Sequence, residues 1–359
     1  MGHPHRVNSC AAGLSGPACQ PAGRLGRQAG AALLAAMLTV TLVATFAATA
    51  LWQQFRSTEV EAAERIRVQS GWILTGALDW SRLILREDAR SGGADHLAEP
   101  WAVPLNEARL SSFLAVDKSA SDTEREAFLS GQISDLQAQL NVANLIDGAA
   151  LSEPGMVMFG RLFDLLGLQP QELTGLSGQL LQAVVASNPA AAPPAGGGAA
   201  RPQSQSQSQS QSGSATLMPQ RVDQLVWLGL SPDSLAILKP HITLLPVRTQ
   251  VNLNTASAEV IYASTPGIEL ADAQRLVAGR ERSHFRSLAD AFKALGGQAT
   301  PFNDAQHGVA SRYFEVRGQL RLDNIVVLER SVLQREGLLV RTLWRDRGVV
   351  PDRSPGVPP

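Results

Sequence analysis

Residues 30–54 read GAALLAAMLTVTLVATFAATALWQQ and contain no Asp, Glu, Lys or Arg. As an α-helix, residues 31–52 would be about 33 Å long, enough to cross a hydrocarbon core of roughly 30 Å. His3, His5, Arg6, Arg24 and Arg27 precede the run, and Glu59, Glu61 and Glu64 follow it. The positive-inside bias therefore leaves the short N-terminus in the cytoplasm and exports the rest. The competing reading is a cleaved secretory signal, for which Ala48-Thr49-Ala50 supplies a small-residue cleavage site. A signal core is shorter, roughly 7 to 15 residues, so the run is expected to be a retained anchor.

The remaining composition excludes several function classes. A net charge of -1 over 359 residues gives no field for a polyanion. Cys10 and Cys19 both lie before Gly30, so a chain processed there has no cysteine and no disulfide framework. His96, His241, His284 and His307 have no metal-ligand spacing. No serine sits in a nucleophile elbow and no Gly-rich loop follows a strand, so the residues predict no enzyme.

Beyond the anchor the helical period continues. Ile66, Ser70, Ile73, Ala77, Trp80 and Ile84 predict one small or apolar stripe on a helix from about residue 32 to 90, ended by Ser91-Gly92-Gly93. Alternation in Gly131 to Val142 predicts a strand. So does Phe314 to Asp323, while Ile325 to Gln334 and Leu338 to Trp344 predict a hairpin across Glu336-Gly337. A long N-terminal helix on an antiparallel sheet is an α+β fold. Residues 145–295 are mostly helical, broken at Asn188 to Ser214 by an Ala/Pro/Gly stretch and SQSQSQSQSQS, which predicts a disordered excursion.

The most specific internal block is VNLNTASAEVIYASTPGIELADAQRLVAGRERSHFRSLADAF, residues 251–292. A helix from about Ala258, a turn at Thr265-Pro266-Gly267 and a helix from about Leu270 to Gly279 resemble a helix-hairpin-helix unit. Nucleic-acid-binding versions carry Gly, apolar, Gly at the turn, which bares backbone N–H groups to a phosphate. Here the order is Gly267-Ile268-Glu269, and a carboxylate repels a phosphate. Arg275, Arg280, Arg282 and Arg286 are interspersed with Glu269, Asp272 and Glu281, a mixed-charge surface that argues against nucleic acid.

Several stretches together resemble the minor pseudopilin K (general secretion pathway protein K) family of type II secretion systems, over nearly the whole length after residue 30. They are RQAGAALLAAMLTVTLVATFAATALWQQ, WSRLILREDARSGGADHLAEPWAVPL, ISDLQAQLNVANL, the residue 251–292 block and SRYFEVRGQLRL. The resemblance implies that a prepilin peptidase cuts between Gly30 and Ala31 and that Ala31 is N-methylated. It implies a pilin-like head with an inserted helical domain, carried on the periplasmic side of the inner membrane. It also implies partnership with minor pseudopilins I, J and H at the tip of the pseudopilus, for export of folded proteins across the outer membrane. Most pilin-like subunits carry a glutamate at the fifth position after the cut, where this chain has Ala35. A buried carboxylate without a partner is costly in lipid, so its absence suits a subunit with no neighbour above it.

The expected organisation is a leader at 1–30, an anchor at 31–54, and the amphipathic helix with the first part of the head at 55–142. An inserted helical domain follows at 143–300, with a Ser/Gln linker at 188–214, then C-terminal strands at 301–348 and a tail at 349–359. Members of the family can bind calcium, and Asp147 and Asp304 are the candidate ligands here. The alternative function is that of a membrane-anchored DNA-uptake receptor, whose helix-hairpin-helix domain the 251–292 block also resembles.

Overall fold

A computed structural model describes residues 29–110, 127–187, 217–296, 302–322 and 325–351. The expected leader up to residue 28, the Ser/Gln linker at 188–214 and residues 352–359 of the expected tail lie outside these residues. The chain divides between Arg65 and Ile66 into two units. Helix α1, Ala29–Ser91, contributes to both.

In the first unit, residues 30–65 are helical and exposed, and up to Phe55 every exposed side chain is uncharged. It holds the one helix among the described residues that is long and apolar enough to cross a membrane. Its hydroxyls are not left bare. Thr39, Thr41, Thr45 and Thr49 each donate to a carbonyl three residues back, at 2.8 to 2.9 Å, which offsets the cost of carrying them into an apolar medium.

In the second unit, five strands form one antiparallel sheet in chain order. They are β1 (Leu105–Arg109), β2 (Ala127–Asp135), β3 (Tyr313–Leu322), β4 (Ile325–Glu336) and β5 (Leu339–Pro351). The β4–β5 hairpin turns at Gly337, whose φ of +57° suits glycine. Strand β5 runs on to Pro351, into the stretch expected as tail. The strand expected at Gly131 to Val142 ends at Asp135. Two 3₁₀ turns follow, Leu136–Ala138 and Val142–Leu145, because Asp135 and Asn141 accept from the backbone N–H groups of Gln137 (2.7 Å) and Ala143 (3.1 Å).

Residues 66–91 of α1 lie on this sheet. The face they bury is Ser70, Leu74, Leu78, Ser81 and Leu85, packed on Ile133, Phe314, Val316, Leu320 and Leu333. This differs from the expected stripe, which is rotated around the helix. Ser70 is common to both, Ile66, Ile73, Ala77 and Ile84 are half-buried flanks, and Trp80 is 51% exposed. Leucine takes the centre because the sheet makes room for it there: a Cβ on Gly318 would stand 3.2 Å from the Leu74 side chain.

Between β2 and β3 the chain builds a helical body: α2 (Glu153–Leu166), α3 (Pro170–Ser187), α4 (Pro232–Leu238), α5 (Ala258–Ser264), α6 (Leu270–Arg282) and α7 (Leu288–Ala294). Ser152, Ser231, Ser257 and Ser287 start four of these helices, each hydroxyl accepting an N–H of the first turn. The body has its own core, including Phe159, Phe163, Leu176, Leu180, Leu228, Ile261 and Leu276. Burying a side chain of this size contributes roughly 1.5–3 kcal/mol. The body is a second apolar centre, separate from the sheet's.

Candidate functional site

Three places bear on function: the start of α1, the hairpin turn between α5 and α6, and the seam where the helical body meets the sheet. Gly30 and Ala31 lie exposed in the first turn of α1, and nothing stands within 4 Å of the place a Cβ on Gly30 would take. Ala35 lies one turn further on, also exposed.

The turn is closed to anions by the chain's own acids. Gly267 adopts φ +92° and Ile268 is buried. Glu269 is the N-cap of α6, and its backbone N–H donates to Asp272 Oδ2 at 3.1 Å. That hydrogen bond, followed by Arg275, holds the Asp272 carboxyl below its usual range. Arg275 is thus paired with Asp272. Arg280 turns inward and donates to the Leu253 carbonyl at 2.6 Å, and burial lowers its pKa to about 10. Behind the turn, Arg161 lies 4.1 Å from the Tyr262 ring centre and donates to the carbonyls of Tyr262 and Ile268, both at 2.9 Å, fastening α2 to it. These bonds make the hairpin a structural joint.

The seam gathers residues from distant parts of the chain. Arg335 on β4 donates to Asp88 Oδ2 (2.6 Å), to both carboxylate oxygens of Asp95 (2.6 and 2.7 Å) and to the Ser311 carbonyl (2.8 Å). Glu99 accepts from the Trp101 indole at 2.6 Å and from the His96 N–H at 2.9 Å. Burial outweighs the effect of Arg335 at Asp95 and raises its pKa to about 6. At Glu99 burial, added to by Asp88 and Asp95, raises it to about 7. Beside them the rings of His96 and His284 stack 3.9 Å apart, and burial followed by His284 lowers the pKa of His96. Deeper in, buried Asp135 accepts from Ser311 (2.6 Å), Thr255 (2.6 Å) and Asn252 (3.1 Å). Asn252 also donates to the Asp95 carbonyl at 3.2 Å. The first asparagine of VNLNT therefore ties the helical body to the head.

The two residues expected as calcium ligands stay apart from this cluster. Asp147 is exposed and pairs with Arg248 at 2.7 Å. Asp304 is exposed, and its backbone carbonyl accepts from the Gln250 side chain. Among the described residues, the acids close enough to share a cation are Asp88, Asp95 and Glu99, with ligand atoms within 4.8 Å of one another. Arg335 is already paired with two of them, Asp88 and Asp95. Sequence reasoning missed the seam. Asp88, Asp95 and Glu99 stand close together in EDARSGGADHLAE, but nothing local points to their partner at Arg335.

A long N-terminal helix laid on an antiparallel meander, with a helical body inserted between two neighbouring strands, defines a pilin-like subunit. Two sequence profiles, both described as type II secretion system (T2SS) protein K, match residues 138–247 and 251–310. The type II secretion system protein K of Pseudomonas aeruginosa is 26% identical over 329 residues, covering 89% of this chain and 93% of that protein. A chain in the crystal structure of the GspK-GspI-GspJ complex from the enterotoxigenic Escherichia coli type 2 secretion system shares the fold, with a TM-score of 0.52 and 14% identity. The match covers 80% of this chain and 98% of that one. The two profiles, the relative and the shared fold together support the type II secretion system protein K family, whose members are minor pseudopilins. The DNA-uptake alternative is not supported, in agreement with the closed hairpin turn.

Proposed function

We propose that this minor pseudopilin is a non-enzymatic subunit that initiates and caps the pseudopilus during export of folded proteins across the outer membrane. Its N-terminal helix fits a single-pass anchor. In this reading the anchor sits in the inner membrane and the head in the periplasm. A prepilin peptidase cuts between Gly30 and Ala31, and Ala31 becomes N-methylated. The partners at the tip are minor pseudopilins I, J and H, of which I and J are present with the related subunit in the solved complex.

The observation that carries the reading is the helical body between β2 and β3; in this reading its bulk keeps a further subunit from stacking above it. Ala35 supports it, since no glutamate is present to seek a neighbour's terminal amine. Sequencing the N-terminus of the membrane-extracted protein tests the processing step. The expected start is N-methyl-Ala31, and a start at Leu51 would turn the anchor into a removed signal and overturn the reading.

A further inference from the structure

At the seam two imidazoles meet face to face. His96, in the loop that follows α1, stacks on His284, in the turn between α6 and α7, with ring centres 3.9 Å apart and planes 12° from parallel. Both residues are half-buried. The Nδ1 of His96 accepts the Ala98 N–H at 3.2 Å, so the ring carries its single proton on Nε2 and is neutral. That Nε2 lies 4.0 Å from Glu99 Oε1. The head and the helical body thus touch through a pair of the side chains whose charge changes between about pH 5 and 8.

We propose that the His96–His284 stack is a proton-operated catch between the head and the helical body, closed while both rings are neutral and released when both are charged. A proton on His96 Nδ1 would face the Ala98 N–H, donor against donor, and end that hydrogen bond. Two imidazolium rings stacked at this distance repel each other, in a half-buried place where water screens them poorly. The charges around the stack do not cancel this. Asp88 comes from α1, Asp95 and Glu99 from the loop after it, and Arg335 from β4. Asp88 and Asp95 are held by Arg335. Glu99, beside the ring, has its pKa raised to about 7 whereas that of His96 is lowered from 6.5, so Glu99 loses its charge before the ring gains one. With the acids ionised, the seam sets three carboxylates against one guanidinium. Once Glu99 is neutral and both rings are charged, three cations face two carboxylates. Acid therefore turns the seam from net negative to net positive, while the apolar core of the helical body holds no charge to respond.

The test compares the full-length chain in detergent at pH 6.5 and pH 5.5 by hydrogen exchange, read by mass spectrometry and corrected for the intrinsic effect of pH. Peptides covering residues 93–99 and 283–287 should exchange about tenfold faster at the lower pH, the change per pH unit when opening takes up one proton. Helices α2 and α5, inside the body, should not change. His96→Phe with His284→Phe keeps two aromatic rings and removes both charges, so its seam should exchange alike at the two values. His284→Phe alone leaves one charge with no second to repel it and should lose most of the acceleration. Equal exchange of the wild-type seam at both values would overturn the catch without recourse to any variant. An acceleration that survives in both Phe variants would also overturn it, by assigning the effect to Asp95 and Glu99.

Discussion

Between residues 66 and 91, α1 carries two groups of apolar residues with opposite surroundings, the exposed group set among charged side chains such as Asp79 and Glu87. One presents Leu74, Leu78 and Leu85 to the sheet and is fully covered; the other presents Trp72, Gly76 and Trp80 and is open. The hydrophobicity of tryptophan and leucine alone does not decide which of them is covered. What does is complementarity in the rest of the chain: Gly318 opens a place in the sheet for Leu74, whereas no described element of the second unit closes over Gly76. The covered side holds the head together, and the other stays exposed among the described residues.

Substitutions can break this contrast at several points. The largest effect is expected at the end of the covered side, where Asp88 leaves α1 to meet Arg335. Arg335→Leu strands Asp88 and Asp95 without their cation, and breaking a buried pair in this way costs about 3–5 kcal/mol. A denaturant titration of the full-length protein would show it as a lower midpoint. Leu85→Ala is expected to cost about 2–5 kcal/mol by leaving a cavity under the sheet, read in the same titration. Trp80→Ala should cost less than Leu85→Ala, since half of the Trp80 side chain is already exposed, against none of Leu85. If it destabilised as much as Leu85→Ala, the two sides would not differ as described.

A smaller effect separates the groups by pH. The folded-state pKa of Glu99 is raised, to about 7 from 4.5. The folded state therefore binds the proton more tightly, and the chain should gain stability as pH falls from above 7 towards 4.5. Asp95, raised to about 6, adds in the same direction over a narrower range. His96 and His307 are lowered, His307 to about 4, so they oppose the gain once pH falls below about 6.5. Glu99→Gln keeps an acceptor for Trp101 and His96 and removes the titration. It should flatten the upper part of the profile and be more stable than the wild type at pH 8, as melting curves across pH would show. The smallest effect is expected from chelation: EDTA should leave the melting temperature unchanged, and a clear fall would identify calcium as part of the fold.

Where the sequence is legible, the reason is local. The long apolar helix shows because the run from Gly30 to Phe55 carries no charge, and the β4–β5 hairpin shows because alternation and Gly337 lie within one short window. The hairpin of α5 and α6 is legible from its caps and turn, and Glu269, standing where nucleic-acid-binding versions carry a glycine, is read directly. The covered side of α1 is not, because Trp80 and Leu78 are equally apolar and only the sheet chooses between them. The seam is illegible because Asp135, Asn252, Ser311 and Arg335 come from parts of the chain with no local signal joining them.

The position of the helical body also sets an order of events. Strands β2 and β3 are adjacent in the sheet, with Ile133 opposite Val316, yet the whole body is synthesised between them. As the chain emerges, β2 must wait without its central partner while the body completes its own separate core. The last segment to arrive closes the sheet on α1 and delivers Arg335 to the acids already waiting there. Non-local pairing of this kind slows folding, so a truncated or stalled chain would hold a finished helical body beside an unfinished head.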